Sequence, residues 1–251
     1  MKNSLFIIVF LWTTFLLAHG PNYNLAEDAK KRGDYKKAIF YTLKQLDLDF
    51  VAYGIDSKET IISFSKLGYY SEKLGKYEEA LEYNIRALEI QNKLSKNNDA
   101  TAATTYNNIG GIYSKLEKYD DALAYYFKSL ELQKTIFGKD HRVAAVTYNN
   151  IAKVYRKQKN YQKALDYYHK TLKIRKETLG EDHYSTALAH SNIGLVYFKI
   201  KKYKEALNEL EITLKIREKI FGEEHSITKK TQGNIDYLKK EMAKNGINSH
   251  Q

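Results

Sequence analysis

Residues 146–180 read VTYNNIAKVYRKQKNYQKALDYYHKTLKIRKETLG, and two patterns of helical spacing follow one another in them. In the first pattern Tyr148, Ile151 and Tyr155 lie at offsets of 0, 3 and 7, which places them on one face of an α-helix. A polar turn at 157–160 separates this helix from the second pattern. The stretch therefore predicts a hairpin of two antiparallel α-helices.

This hairpin pattern recurs every 42 residues along the chain. Three columns keep the interval: the apolar anchors Leu25, Leu67, Ile109, Ile151, Ile193 and Ile235; the tyrosines Tyr35, Tyr77, Tyr119, Tyr161 and Tyr203; and the alanines Ala38, Ala80, Ala122, Ala164 and Ala206. One such unit cannot bury its apolar face alone, so neighbouring copies must stack on one another. We therefore predict an all-α fold, a solenoid of stacked helix–turn–helix units.

The interval also divides the chain into segments. We predict five units of about 42 residues over 21–228, a capping helix at 229–244 and a flexible tail at 245–251. The first unit diverges most from the others. Its Gly54, together with the run Asp-Leu-Asp-Phe, predicts an irregular connection across 46–58.

The junctions between units share a glycine, an acidic residue and a histidine. We expect Gly180 to end its helix in the left-handed conformation and Asp182 to cap the next helix. The histidines at the three junctions are His141, His183 and His225. A metal ion needs its ligands about 2 Å away, so residues separated by whole repeats cannot share one. A role in the junction is the better interpretation.

The unit resembles a tetratricopeptide repeat (TPR). The residues that follow the spaced large and small pattern of that family are Tyr148, Ile151, Ala152, Tyr155, Tyr161, Ala164 and Tyr168. The 42-residue length and the Gly-x-[Asp/Glu]-His junction resemble the kinesin-light-chain variety, although Arg142, Tyr184 and Ser226 stand where that variety has proline. The resemblance covers about Tyr23 to Met242. It implies that the solenoid is a right-handed superhelix of stacked TPR units. It also implies a non-enzymatic binding scaffold whose concave surface is lined by the first helix of each unit.

The first twenty residues have the layout of a secretory signal peptide. Lys2 gives a basic start, an apolar run follows at 5–18, and no acidic residue precedes Glu27. Pro21 directly after the small residue Gly20 argues against cleavage there, so an uncleaved anchor is the alternative. We expect an exported protein, periplasmic or secreted, with contact to the membrane through 5–18 if the segment is kept.

The composition limits the chemistry further. The chain has no cysteine, which excludes disulfides and thiolate metal sites. It also has no His-Glu-x-x-His, no Gly-x-Ser-x-Gly and no phosphate loop, so we predict that it is not an enzyme and binds neither a cofactor nor a metal. Its net charge of +11 favours acidic partners, and export argues against nucleic acid. An alternative is a membrane-anchored assembly factor whose basic surface lies on an anionic envelope.

One polar column lies directly before the apolar anchors. It consists of Asn24, Lys66, Asn108, Asn150, Asn192 and Asn234, which we call the amide ladder. An amide can donate and accept hydrogen bonds at once, so it can pair with the backbone of any peptide. Members of the resembled family that bind extended peptides use asparagines in this way. The alternative is that each amide satisfies a polar group of a neighbouring helix, and both roles can coexist.

Basic and amide side chains flank the ladder. Asn149, Lys153 and Arg156 share one helix face at offsets of 0, 4 and 7. Such a surface suits acidic side chains or a C-terminal carboxylate. The predicted peptide-binding residues are Asn108, Asn150, Asn192, Asn234, Asn107, Asn149, Lys153, Arg156 and Lys199. His190 falls on an apolar repeat position, and we predict that it is a core histidine.

Overall fold

The computed structural model describes residues 21–95, 100–138 and 141–247. Within these ranges the chain forms helices and no strand: α1 Pro21–Lys31, α2 Tyr35–Tyr53, α3 Lys58–Lys73, α4 Tyr77–Ser95, α5 Ala100–Lys115, α6 Tyr119–Phe137, α7 Arg142–Lys157, α8 Tyr161–Leu179, α9 Tyr184–Lys199, α10 Tyr203–Phe221 and α11 Ser226–Lys244. The all-α prediction is therefore confirmed. The predicted signal segment at 1–20 and the end of the predicted tail at 248–251 lie outside the described residues.

The helices divide into two compact units. The first unit, 1–132, contains α1 to α5 and most of α6, and the second unit, 133–251, contains the end of α6 and α7 to α11. In the first unit α1 packs on α2, α2 on α3, α3 on α4 and α4 on α5. In the second unit the same succession runs from α7 to α11. Each unit is thus a stack of helical hairpins, as the 42-residue interval predicts.

The three repeating columns form the core of these stacks. The anchors from Leu67 to Ile235 are at most 2% exposed, and the five alanines are fully buried. Burial of one such anchor stabilises the fold by roughly 1.5–3 kcal/mol. Leu25 is the exception at 38% exposure, because α1 packs mainly on α2 within the described part of the first unit. At Gly110 an added Cβ would lie 2.8 Å from the Tyr126 ring, so the absence of a side chain there permits the close packing of α5 on α6.

The turn inside each hairpin requires one residue with positive φ. In the turn after α7, Lys159 has a φ of 60° and its backbone amide donates to the Arg156 carbonyl. The backbone amide of Asn160 donates to the Tyr155 carbonyl. These two bonds end the helix in a Schellman motif. The same column holds Gly33, Gly75, Glu117, Lys159 and Lys201. A side chain in this conformation costs about 1–2 kcal/mol, so the last three turns are strained.

The junction between hairpins differs from the prediction. Gly180 has positive φ, but its ψ of 165° places it in an extended region open almost only to glycine rather than in the left-handed helical region. Helix α9 begins at Tyr184, so the capping position is His183, whose Nδ1 accepts a hydrogen bond from the Ser185 amide at 3.0 Å. The predicted capping role of Asp182 is wrong. Its carboxylate pairs with Lys219 instead.

Helix α2 also differs from the prediction. It continues without interruption to Tyr53, so the expected irregularity begins only at Gly54. The stretch contains two acidic residues. Asp47 is exposed, and Asp49, which is fully buried, accepts hydrogen bonds from Gln45 at 2.9 Å and Ser63 at 2.7 Å. A buried carboxylate with two hydrogen-bond donors does not interrupt a helix.

Candidate peptide-binding surface

A cavity of about 590 Å³ opens among the first helices of the hairpins in the first unit. Most of its lining comes from α1, α3 and α5, and it includes the ladder positions Lys66 and Asn108. Asn108 is exposed, and Asn107 beside it is half-buried. The third ladder position of this unit, Asn24, is exposed but does not line the cavity.

The lysine of the ladder is neutralised inside this cavity. Glu27 lies 2.8 Å from Lys66 and 3.0 Å from Lys30, and the Tyr70 hydroxyl donates to it at 3.3 Å. The hydrogen bond from Lys66 lowers the pKa of Glu27 to about 2, although burial acts in the opposite direction. The Lys66 ammonium also lies 4.1 Å from the centroid of the Tyr23 ring. The role of Glu27 as the partner of Lys66 was not predicted from the sequence. The presence of a lysine in a column of asparagines was the signal that could have indicated a charged partner.

A second cavity, of about 290 Å³, lies within the second unit among α9, α10 and α11. The ladder amides Asn192 and Asn234 line it, and its apolar wall includes Leu195, Phe198 and Tyr237. The last two rings lie 5.9 Å apart, and Tyr237 is 56% exposed. Such a cavity can take an apolar side chain from a segment whose backbone meets the two amides. The sequence analysis did not predict this apolar wall.

The amides of the second unit also bond to each other. Asn192 donates to the Asn149 side chain across adjacent hairpins at 3.1 Å. Asn149 is 5% exposed, so its role is to orient Asn192. Asn150 is half-buried, whereas Asn234 is exposed. The second interpretation of the ladder, mutual satisfaction of neighbouring helices, therefore applies at this contact.

The predicted basic residues occupy different environments. Lys153 and Lys199 are exposed, whereas Arg156 is half-buried and its Nε has no hydrogen-bond partner among the described residues. The guanidinium lies beside Tyr168, whose pKa is raised by burial and lowered in part by Arg156. Arg156 is therefore positioned against the hairpin core.

Around these residues the second unit has no acidic side chain over long stretches. The segments 141–165 and 183–204 contain ten Lys and Arg residues and no Asp or Glu. The equivalent segments two repeats earlier, 57–81 and 99–120, contain six basic and seven acidic residues. The positive charge of the chain is therefore concentrated on α7, α9 and their turns.

His190 is buried, as predicted, and has a partner that the prediction missed. It is 4% exposed, and its Nδ1 lies 2.6 Å from the Glu209 carboxylate. One repeat earlier the same two columns hold Tyr148 and Tyr167, whose rings lie 5.9 Å apart. Two tilted tyrosine rings in one repeat thus correspond to a histidine and a carboxylate in the next, an exchange that can be seen in the 42-residue columns of the sequence.

The junction histidines act as helix caps. Nδ1 of His141, His183 and His225 accepts a hydrogen bond from the backbone amide two residues later, at 3.4, 3.0 and 3.2 Å. His141 and His225 also stack on Phe137 and Phe221. Nowhere in residues 21–95, 100–138 and 141–247 do three metal-ligating side chains cluster, and no helix there is long and apolar enough to cross a membrane.

The fold is similar to that of several solved structures. BtubC (BKLC) from P. vanneervenii matches with a TM-score of 0.71 and 24% identity over 79% of each chain. A putative kinesin light chain with nearly identical TPR-like repeats from Podosopora anserina matches with a TM-score of 0.68 and 18% identity, over 79% of this chain and 94% of that one. MamA from Desulfovibrio magneticus RS-1 matches with a TM-score of 0.58 and 14% identity, over 79% and 94%.

Family models agree with the structural comparison. One tetratricopeptide-repeat model matches residues 101–177 and 143–219, and another matches residues 60–99. A search of curated proteins finds no match. Together the two family models cover more than half of the chain, and the hairpins seen in both units are those that the family forms. The chain belongs to the tetratricopeptide-repeat family.

Proposed function

We propose that this protein is an exported, non-enzymatic scaffold that binds a segment of a partner protein along the amide ladder. The TPR fold itself supports a protein–protein interaction scaffold, and TPR proteins are generally non-enzymatic. One observation carries the proposal further. Amides of the ladder line a cavity in each unit, Asn108 in the first and Asn192 with Asn234 in the second. Side-chain amides at such places can pair with a peptide backbone.

The charge distribution supports an acidic segment as the ligand. In the second unit α7 and α9 bear Lys153, Arg156 and Lys199 and no acidic residue. The basic side chains of these two helices attract a carboxylate, which accelerates encounter and favours one register of the ligand. The apolar run at 5–18 supports export, with or without retention at the membrane.

The experiment is a selection of peptides from a random library, followed by measured affinities. Alanine at Asn108, Asn192 and Asn234 together should weaken the selected peptides at least about tenfold, because each lost amide contact contributes about 0.5–1.5 kcal/mol. The matched control replaces Asn92 and Asn208, exposed amides on the second helices α4 and α10, with alanine. Circular dichroism establishes that both variants are folded.

Two results would reject the proposal. One is an unchanged affinity in the ladder variant, and the other is an equal loss in both variants. Selected peptides should also be enriched in Asp and Glu. If the library yields only neutral peptides, binding along the amide ladder would still hold, but the proposal that the ligand is acidic would be rejected.

A further inference from the structure

The turns inside the hairpins of the second unit carry a cluster of exposed lysines. Lys157 is the last residue of α7 and Lys159 lies in the turn that follows it, and Lys201 and Lys202 lie in the turn after α9. We call these four residues the lysine edge. Because α7–α8 and α9–α10 are adjacent hairpins that pack through α8 and α9, the two turns are neighbours on one edge of the unit. None of the four lines the cavity of this unit.

The segments of chain on either side of the two turns are basic. The segments 141–165 and 183–204, which contain both turns, have no Asp or Glu. Glu205 follows directly and lies 3.9 Å from Lys202, with both side chains about half exposed. An ion pair of this kind is screened by water and leaves the edge positive.

The local backbone shows that the lysines are held at a cost. Lys159 and Lys201 have φ values of 60° and 62°, at the column where the first two hairpins have glycine. Residues kept in a disfavoured conformation often mark functional surfaces. Glu117 in the first unit has the same conformation, so the strain alone does not define the edge. What distinguishes the lysine edge from the Glu117 turn is that its strained residues, Lys159 and Lys201, are also positively charged.

We propose that the lysine edge is a contact surface for an anionic lipid bilayer. The cores of protein interfaces are depleted of lysine and built on apolar and aromatic groups, which these turns do not expose. Attraction of lysines to anionic headgroups needs no shape complementarity, and each lysine near the surface adds to it. The edge thus holds the scaffold at a membrane while the ladder faces other ligands. This inference does not rest on the proposed peptide binding.

The test measures binding of the full-length chain to vesicles of phosphatidylcholine alone and with about 30% phosphatidylglycerol. The edge variant replaces Lys157, Lys159, Lys201 and Lys202 with glutamine. The matched control replaces the exposed lysines Lys173, Lys204, Lys215 and Lys230 with glutamine, so both lose four charges. Residues 1–20 are present in every sample and contribute equally.

Wild type should bind the anionic vesicles at least about tenfold more tightly than the neutral ones, and less tightly in high salt. The edge variant should lose about tenfold and the control about twofold. An equal loss in both variants would show that only net charge matters and would overturn the proposal. Unchanged vesicle binding of the edge variant would also overturn the proposal. If that variant instead lost affinity only for soluble polyglutamate, the edge would bind an acidic peptide rather than a membrane, and the proposal would be wrong.

A second pair of variants separates charge from strain. Lys159→Gly with Lys201→Gly relieves the backbone and removes two charges, so the melting temperature should rise while vesicle binding falls. Lys159→Arg with Lys201→Arg keeps the charge and should keep the binding. Alanine at the three ladder asparagines should leave vesicle binding unchanged. If the ladder variant loses vesicle binding, the contact belongs to the groove and the proposal is wrong.

Discussion

One position in each hairpin turn requires a positive φ, and this position holds glycine in some turns and a residue with a side chain in others. Each turn needs a residue near a φ of 60–75°, which Gly33 and Gly75 adopt freely and Glu117, Lys159 and Lys201 adopt under strain. The turns are otherwise alike, with the same pair of Schellman hydrogen bonds after α7 and after α9. The difference between them should therefore be measurable as stability.

Lys159→Gly and Lys201→Gly should each stabilise the second unit by about 0.5–1 kcal/mol. Relief of the left-handed conformation contributes about 1–2 kcal/mol, and the greater freedom of glycine in the unfolded chain removes part of it. Urea unfolding measures the gain. The matched control, Gly180→Ala, should destabilise by about 1–3 kcal/mol, since its extended conformation at φ 90° is open almost only to glycine. A loss of stability in the lysine variants would contradict the account.

His190 and Glu209 should behave as one unit in a double-mutant cycle. His190→Tyr alone leaves a largely buried carboxylate without its partner, and Glu209→Tyr alone leaves a buried histidine without one, so each should cost about 2–4 kcal/mol. The double variant restores the tilted tyrosine pair seen at Tyr148 and Tyr167 and should recover most of that loss. Equilibrium unfolding of the four proteins gives the coupling energy. Additive losses would show that the pair is not coupled.

At the scale of helices, the junctions of the second unit are closed by histidine caps. Nδ1 of His141, His183 and His225 accepts a hydrogen bond from a backbone amide in the first turn of the helix that follows. Such a bond satisfies one of the amides that have no partner within the helix. In the first unit Ser57 caps α3 through its hydroxyl.

Removal of these caps should therefore loosen the junctions. Alanine at His141, His183 and His225 takes away the side-chain acceptor and should cost about 0.5–2 kcal/mol per junction. Asparagine at the same three positions keeps a cap and should cost much less. Urea unfolding of both variants measures the difference. Equal stability of the alanine and asparagine variants would contradict this role.

The sequence predicted the helices well because periodicity reports burial. The anchors and alanines that define the 42-residue interval are the residues that the structure buries, apart from Leu25. Caps were predicted poorly, since Asp182 and His183 are both able to accept a hydrogen bond and only the starting point of α9 chooses between them. The apolar run at 5–18 lies outside the described residues, so the expectation of export stays a prediction.

At the scale of the whole molecule, the net charge belongs to one unit. Residues 1–132 carry 17 basic and 17 acidic side chains, whereas residues 133–251 carry 24 and 13. The basic residues predicted for the site, Lys153, Arg156 and Lys199, all belong to the second unit. The 42-residue columns of the sequence could predict the helix face that bears these basic residues and the amide ladder. The two cavities and the burial of Asn149 depend on how neighbouring helices pack, and a single column holds no information about that packing.

Binding of an acidic peptide should accordingly depend on salt. A tenfold rise in ionic strength should slow association by about tenfold, because screening shortens the range over which the positive second unit attracts the ligand. Dissociation should change much less. Stopped-flow fluorescence of a labelled peptide measures both rates, and an association rate that is independent of salt would reject the electrostatic part of the account.

The central claim is that the amide ladder holds the backbone of a bound segment, and the most direct measurement follows the asparagine side chains themselves. Nuclear magnetic resonance of the labelled protein resolves their amide signals with and without a selected peptide. The account predicts large shifts at Asn108, Asn192 and Asn234 and almost none at Asn92 and Asn208. Shifts only at Asn92 and Asn208, or no shift at any of the five amides, would contradict it.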